Sequence, residues 1–242
     1  MKIKDKNTFT YHHLAIPTTD KRDGEIYDPT LKCWRVPGTR NAYGIEWTRF
    51  DKDSSRPALL SEFAHVTFEV EDIDDALNDE QVVIPPYQVE DGVKSAFIEV
   101  LGAPVRLLQI DKAIAGESAA NPVQLSGKNL EYHHTGMPAN GHWDDEIKVP
   151  HLKLAYLPGK YNTYGVEWLR FEEGNENPDI IKYIPHVAFE VDDIDQAVVG
   201  EKVIYHSGKD DPAIYVAMIE VDGASIEFLQ LDRSICGDQY NR

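Results

Sequence analysis

Set against itself at an offset of 121 positions, the sequence aligns without a gap. "YHHLAIP" at 11–17 meets "YHHTGMP" at 132–138, and "HVTFEVEDIDDA" at 65–76 meets "HVAFEVDDIDQA" at 186–197. "AFIEVLGAPVRLLQID" at 96–111 meets "AMIEVDGASIEFLQLD" at 217–232. Over residues 11–50, 19 of 40 positions are identical. The chain is a tandem duplication, so its fold must be one that a unit of roughly 100 residues can close by itself. Two copies are too few for a solenoid, whose units need three or more. Between the copies lies "KAIAGESAANPVQLSGKNL", residues 112–130, small, polar and proline-containing, which reads as a linker. The expected organisation is an N-terminal domain over 1–111, a linker over 112–130 and a C-terminal domain over 131–242.

Inside each copy strand signals dominate. In "HVAFEV", Val187, Phe189 and Val191 fall on one side and His186, Ala188 and Glu190 on the other. "DDIDQAVV" opens with aspartates before apolar residues, as a helix N-terminus does. "EKVIYH", "AIYVAMIEV" and "ASIEFLQL" are β-branched or aromatic runs punctuated by Gly, Asp and Pro. That half of the copy reads β-α-β-β-β. The other half begins with a strand at "YHHTGMP" and ends with one at "YGVEWLRF". Pro150 and Pro158 break its middle, which shows no long helix.

Composition narrows the partners. The formal charge is −18, from 42 acidic and 24 basic side chains, and such a surface repels nucleic acid and anionic membrane. Two cysteines, Cys33 and Cys236, make no disulfide framework, and no run approaches the ~20 apolar residues of a membrane span. A cytoplasmic protein is the expectation.

Paired β-α-β-β-β units, with histidines opening strands and "DID" opening the helix, resemble the vicinal oxygen chelate superfamily. That group contains glyoxalase I, the bleomycin-resistance proteins and the extradiol dioxygenases. The resemblance spans both copies and is strongest over "HVAFEVDDIDQA" and "DGASIEFLQLD". It implies an α+β fold: tandem glyoxalase-like domains, each of paired βαβββ modules forming a cupped mixed sheet around a divalent metal. Carried onto this sequence, the implied ligands are His134, Glu167, His186 and Glu227, with Glu167 and Glu227 the candidate catalytic carboxylates. One residue of register slip would exchange His134 for His133. The first copy holds His13, Glu46, His65 and Arg106 in these slots, and a guanidinium repels a cation. A degenerate first site is therefore expected, with Arg106 paired to Glu46.

Two imidazoles and two carboxylates suit Fe, Mn, Co, Ni or Zn. Two open coordination positions would let a substrate with adjacent oxygens chelate the ion. The resemblance thus implies a glyoxalase-type lyase or isomerase. An Fe(II) ring-cleaving dioxygenase is the alternative, using His134, His186 and Glu227 as a facial triad and His142, His151 or His206 as an acid–base. A metal-free binding or resistance protein is the third reading. Trp143, Tyr164 and Trp168 are candidate pocket aromatics, or core. Tandem copies satisfy within one chain the pairing that single-domain relatives reach by dimerising, and a homodimer stays open.

Overall fold

Period-2 alternation builds each copy almost entirely from strands. The computed structural model describes residue 5 and residues 8–29, 31–54, 56–208 and 211–237. In the first copy β1 (Thr10–Pro17), β2 (Ile26–Asp28), β3 (Cys33–Val36) and β4 (Ile45–Phe50) form one module. After α1 (Ala58–Glu62), the second module runs β5 (His65–Val70), α2 (Ile73–Ala76), β6 (Gln81–Glu90), β7 (Val93–Val100) and β8 (Ala103–Ile110). Two short helices follow, α3 (Lys112–Ala115) and α4 (Pro122–Ser126). The second copy repeats the plan with β9 (Glu131–Pro138), β10 (Ile147–Val149), β11 (Leu154–Leu157) and β12 (Val166–Phe171). It continues through α5 (Asp179–Tyr183), β13 (His186–Glu190), α6 (Ile194–Ala197), β14 (Lys202–His206), β15 (Ile214–Val221), β16 (Ala224–Leu231) and α7 (Arg233–Cys236).

Each copy forms an eight-stranded mixed sheet, in the orders β2-β3-β4-β1-β5-β8-β7-β6 and β10-β11-β12-β9-β13-β16-β15-β14. The first strand of each module pairs parallel with its last, and the two modules join antiparallel through β1–β5 or β9–β13. Among the described residues the first module of each copy holds no α-helix between its strands. The proline-broken middle supplies two short strands and single 3-10 turns in its place.

One sheet face is the core. In the second copy Val187, Phe189, Ile226 and Phe228 are fully buried there, with Ile194 of α6 against them. Asp193 caps α6 by accepting from Gln196 N, and Gln230 on β16 accepts from Ile194 N at 3.0 Å. Asp72 and Gln109 do the same for α2. These contacts fix the "DID" turn to the last strand.

The chain divides into two compact units, Met1–Lys128 and Asn129–Arg242. Most of the segment read as a linker is docked onto the first unit. Asn121 caps α4 through Val123 N and Gln124 N, and its Nδ2 donates to Tyr11 O at 2.6 Å. Its small polar residues serve as caps and turns. Asn121→Ala removes the cap and the tie together and lowers stability by about 1–2 kcal/mol, read by urea denaturation of the full chain. An unchanged midpoint would mean the segment is not held this way.

Candidate metal centre

Strand register places four chemistry-bearing residues on the other face of the second sheet. Across β9, β13 and β16, His134, Ala188 and Glu227 stand in one row. Across β12, β9 and β13, Glu167, Gly136 and His186 stand in a second row, two residues further along β9. Each row has a small residue at its centre. Neighbouring strands lie ~4.8 Å apart, so the outer side chains of a row must lean over that centre to meet.

They do meet. Donor atoms of His134, His186 and Glu227 all lie within 4.8 Å of one another. Glu227 Oε2 is 3.2 Å from His134 Nε2 and 3.1 Å from His186 Nε2, and Glu167 Oε1 is 3.7 Å from His134 Nε2. The imidazoles are buried and the carboxylates nearly so. Although His186 Nε2 is close to Glu227, neither of its ring nitrogens makes a hydrogen bond. Donor atoms gathered at hydrogen-bond range but aimed off each other's lone pairs fit a shared cation between them. Gly136 confirms how tight the cradle is, since a Cβ there would lie 2.2 Å from His186 Cε1.

The second layer orients the first. His134 Nδ1 lies 2.9 Å from His133 Nδ1, so one ring donates to the other. If His133 accepts, the Nε2 of His134 is the free lone pair facing the carboxylates. Of the two, His134 is the one whose Nε2 faces Glu227 and Glu167. Glu167 Oε2 accepts from the backbone N–H of Gly159 at 3.3 Å. Arg170, the alternative partner for Glu167, is engaged instead by Glu146 at 2.6 Å and Glu172 at 3.3 Å.

Charge is unevenly shared within this group. Burial depresses His134, but Glu167 and Glu227 outweigh it and raise the imidazole from 6.5 to about 9. Burial pushes Glu167 up, and the charge of Glu227 adds to it against the pull of His134. Glu227 goes the other way: burial would raise it, yet contact with His134 and His186 holds it well below the usual carboxylate range. Tyr205 on β14 was not anticipated from sequence. Burial and then the charge of Glu227 raise its phenol, which places it within the field of the site.

The remaining candidates lie elsewhere. His142, His151 and His206 are exposed, and His206 contacts Tyr215. Tyr164 and Trp168 are core, with Trp143 stacked on Trp168 at 5.9 Å between centroids. Among the described residues no helix is long and apolar enough to cross a membrane.

The first copy has the same register and a different outcome. Its rows read His13–Thr67–Arg106 and Glu46–Ala15–His65, so both central residues are larger. Thr67 Oγ1 takes His13 Nε2 at 3.0 Å, using the nitrogen that points inward in the second copy. His65 packs edge-on against Phe97 at 5.2 Å. Burial, with Arg106 adding its repulsion, drives His65 down to about 3, and burial with His12 and Arg106 drives His13 well below its usual value. Both rings are neutral, and no metal-ligating cluster forms there among the described residues. The expected Arg106–Glu46 pair is not formed. Glu46 is taken by Arg35 at 3.4 Å, while Arg106 Nε donates to Ser95 Oγ at 2.9 Å.

No family model matches the sequence, and no curated protein matches it. Among solved structures, a triple mutant of 4-hydroxymandelate synthase from Streptomyces coelicolor is similar at 11% identity and a TM-score of 0.48, covering 93% of each chain. A hypothetical protein from Bacillus halodurans aligns at 15% identity and a TM-score of 0.22, covering 69% of this chain and 92% of that one. Methylmalonyl-CoA epimerase from Mycobacterium tuberculosis aligns at 14% identity and a TM-score of 0.19, covering 76% and 95%. The strand order gives two modules per sheet, each closed by a parallel first–last pair and joined antiparallel at the centre. The chain has an α+β fold of two such mixed sheets, the plan that the sequence resemblance implied. Within that fold, the four inner strands of a sheet are the ones that bring the two rows together.

Gly136→Ala tests the cradle. Its added methyl meets the His186 ring, whereas the first copy carries Ala15 at this place without harm to its strand pairing. The variant is expected to stay folded and to bind divalent metal at least tenfold more weakly, measured by competition with a fluorescent chelator. Unchanged affinity would show that His186 does not occupy that position in the working site.

Proposed function

We propose that the second cup is the active site of a metal-dependent enzyme of glyoxalase type. It would act as a lyase or isomerase on a small molecule that presents two adjacent oxygens. The observation that carries this reading is the convergence of His134, His186 and Glu227 within 4.8 Å, with a further carboxylate 3.7 Å from His134. This nitrogen and oxygen set suits Fe, Mn, Co, Ni or Zn held by His134, His186 and Glu227, with Glu167 as the fourth ligand or the free base. Such an ion supplies Lewis-acid polarisation of the substrate's oxygens.

The chain's own residues supply the proton chemistry. Glu167 has its carboxyl raised by burial and by the nearby Glu227, which brings it towards the range where a carboxylate exchanges protons at working pH. Its Oε2 is anchored by Gly159 N–H, which leaves Oε1 towards the site. It is placed to remove a proton from carbon beside a polarised carbonyl and to return it at the neighbouring position. His134, His186 and Glu227 would hold the ion beside that base, and the ion would fix the substrate's oxygens. The acidic chain, without a long apolar helix among its described residues, is consistent with a cytoplasmic setting.

A ring-cleaving dioxygenase is the second reading, favoured by one observation. The tight group contains two histidines and one glutamate and leaves Glu167 outside it. None of the three exposed histidines serves as its acid–base, so that role would fall to Tyr205. A metal-free binding protein has no need for a buried imidazole lacking hydrogen bonds on both nitrogens.

Elemental analysis of the full chain purified without chelator decides among them. About one ion per chain is expected, lost in His186→Ala and in Glu227→Ala. Nickel, cobalt or zinc supports the lyase, iron the oxygenase, and a metal-free wild type defeats both. Glu167→Gln is expected to keep its ion while turnover falls by roughly 10²–10⁴-fold. Full activity in that variant would remove Glu167 as the base.

Metal uptake also has a defined pH dependence. At neutral pH the metal-free His134 is protonated, because its value of about 9 lies above the medium. A metal needs the neutral ring, so binding expels about one proton and strengthens about tenfold per pH unit from 7 to 9, levelling off above. Calorimetry in two buffers of different ionisation enthalpy reads the proton count. A count of zero at pH 7.5 contradicts this assignment.

A further inference from the structure

The first cup has not simply lost a site; its charge has been reversed. Three arginines line it: Arg35 on β3, Arg56 just before α1 and Arg106 on β8. Their counterparts in the second copy are Tyr156, Asn177 and Glu227, none of them cationic. All three differences are of one sign and converge on one place. Random drift of an abandoned site in a chain of net charge −18 has no reason to do this.

Arg35 spends its charge on Glu46 at 3.4 Å and Asp28 at 3.6 Å. The other two are unspent. Arg106 is 5% exposed, and its only hydrogen bond is from Nε to Ser95, so both terminal nitrogens have no acceptor among the described residues. Its guanidinium lies over the Phe97 ring at 5.6 Å, which fixes the plane of the fork. Arg56 stacks on Tyr87 at 5.1 Å and has no carboxylate partner among the described residues. A cavity of about 20 Å³ is lined by these arginines, by His65, whose Nδ1 lacks a partner, by Phe97 and by Glu46, whose carboxylate is offset by Arg35 at 3.4 Å. The two terminal nitrogens of Arg106 thus keep their N–H groups unpaired at the cavity, where a charge-assisted acceptor would be held more strongly than a neutral one. The space exceeds one water, for which about 10–15 Å³ suffices, and falls short of a phosphate. The terminal N–H pair of Arg106 matches the two oxygens of a carboxylate.

We propose that the first cup is a binding site for a small carboxylate group of formate size, gripped by Arg106 and closed by Arg56. The second copy's cup takes a cation and the first an anion. The site lies in the other unit from the proposed active site and does not depend on that reading.

Calorimetric titration of the full chain with sodium formate, at constant ionic strength, tests the proposal. Saturable binding of one formate per chain is expected. Arg106→Gln should weaken it tenfold or more, and Arg106→Lys should fall between, because charge is kept and the fork is lost. Glu227→Gln, altered only in the second cup, should bind formate like wild type. If Arg106→Gln fails to fold, Arg56→Gln at the half-buried rim serves as the second variant, with several-fold weakening expected. No saturable binding by wild type up to about 0.1 M, undiminished binding by Arg106→Gln or Arg56→Gln, or loss of binding in Glu227→Gln overturns the assignment.

Discussion

Side chains on alternate strands of a sheet start too far apart to share an ion, and this chain overcomes that distance with two minimal residues between them. Gly136 and Ala188 stand between Glu167 and His186, and between His134 and Glu227. Because Gly136 raises no side chain and Ala188 only a methyl, the flanking groups can tilt inward until their donor atoms sit ~3 Å apart. Every electrostatic feature of the second cup follows from this convergence. The raised imidazole of His134 and the lowered carboxyl of Glu227 both require donors that close.

The first cup shows what happens when the gaps are filled. With Ala15 in one row and Thr67 in the other, His65 turns to Phe97 and His13 is satisfied by a hydroxyl. The backbone register is the same, so the difference lies entirely in side chains. Three arginines then occupy a place where an uncompensated positive charge would have expelled any metal. Loss of one binding character and gain of the opposite one are therefore parts of a single rearrangement.

Much of this was legible in the sequence. The ungapped repeat gave the duplicated units, and period-2 runs located the strands of the second module and the first and last strands of the other. His134, Glu167, His186 and Glu227 do face one another, although only three form the tight group. Other features were hidden for identifiable reasons. The strands Ile147–Val149 and Leu154–Leu157 are too short and too proline-bound to show a period. The helices of residues 112–126 are held by caps and tertiary ties, so composition alone read them as a tether. Arg106 pairs with Ser95 because strand neighbours, not repeat positions, determine its reach. Gly136, Ala188 and Thr67 bear no ligand chemistry of their own, so a pattern of ligand types does not mark them; they act by making or filling room. Their signal lies in the differences between the copies within each strand row, Gly136 against Ala15 and Ala188 against Thr67.

The gapless duplication has an experimental value of its own. Each half of the polypeptide is a naturally occurring multiple variant of the other, carried at fixed one-to-one stoichiometry in the same solution. Any quantity that can be assigned to one half is measured beside its built-in reference, free of differences in preparation or concentration.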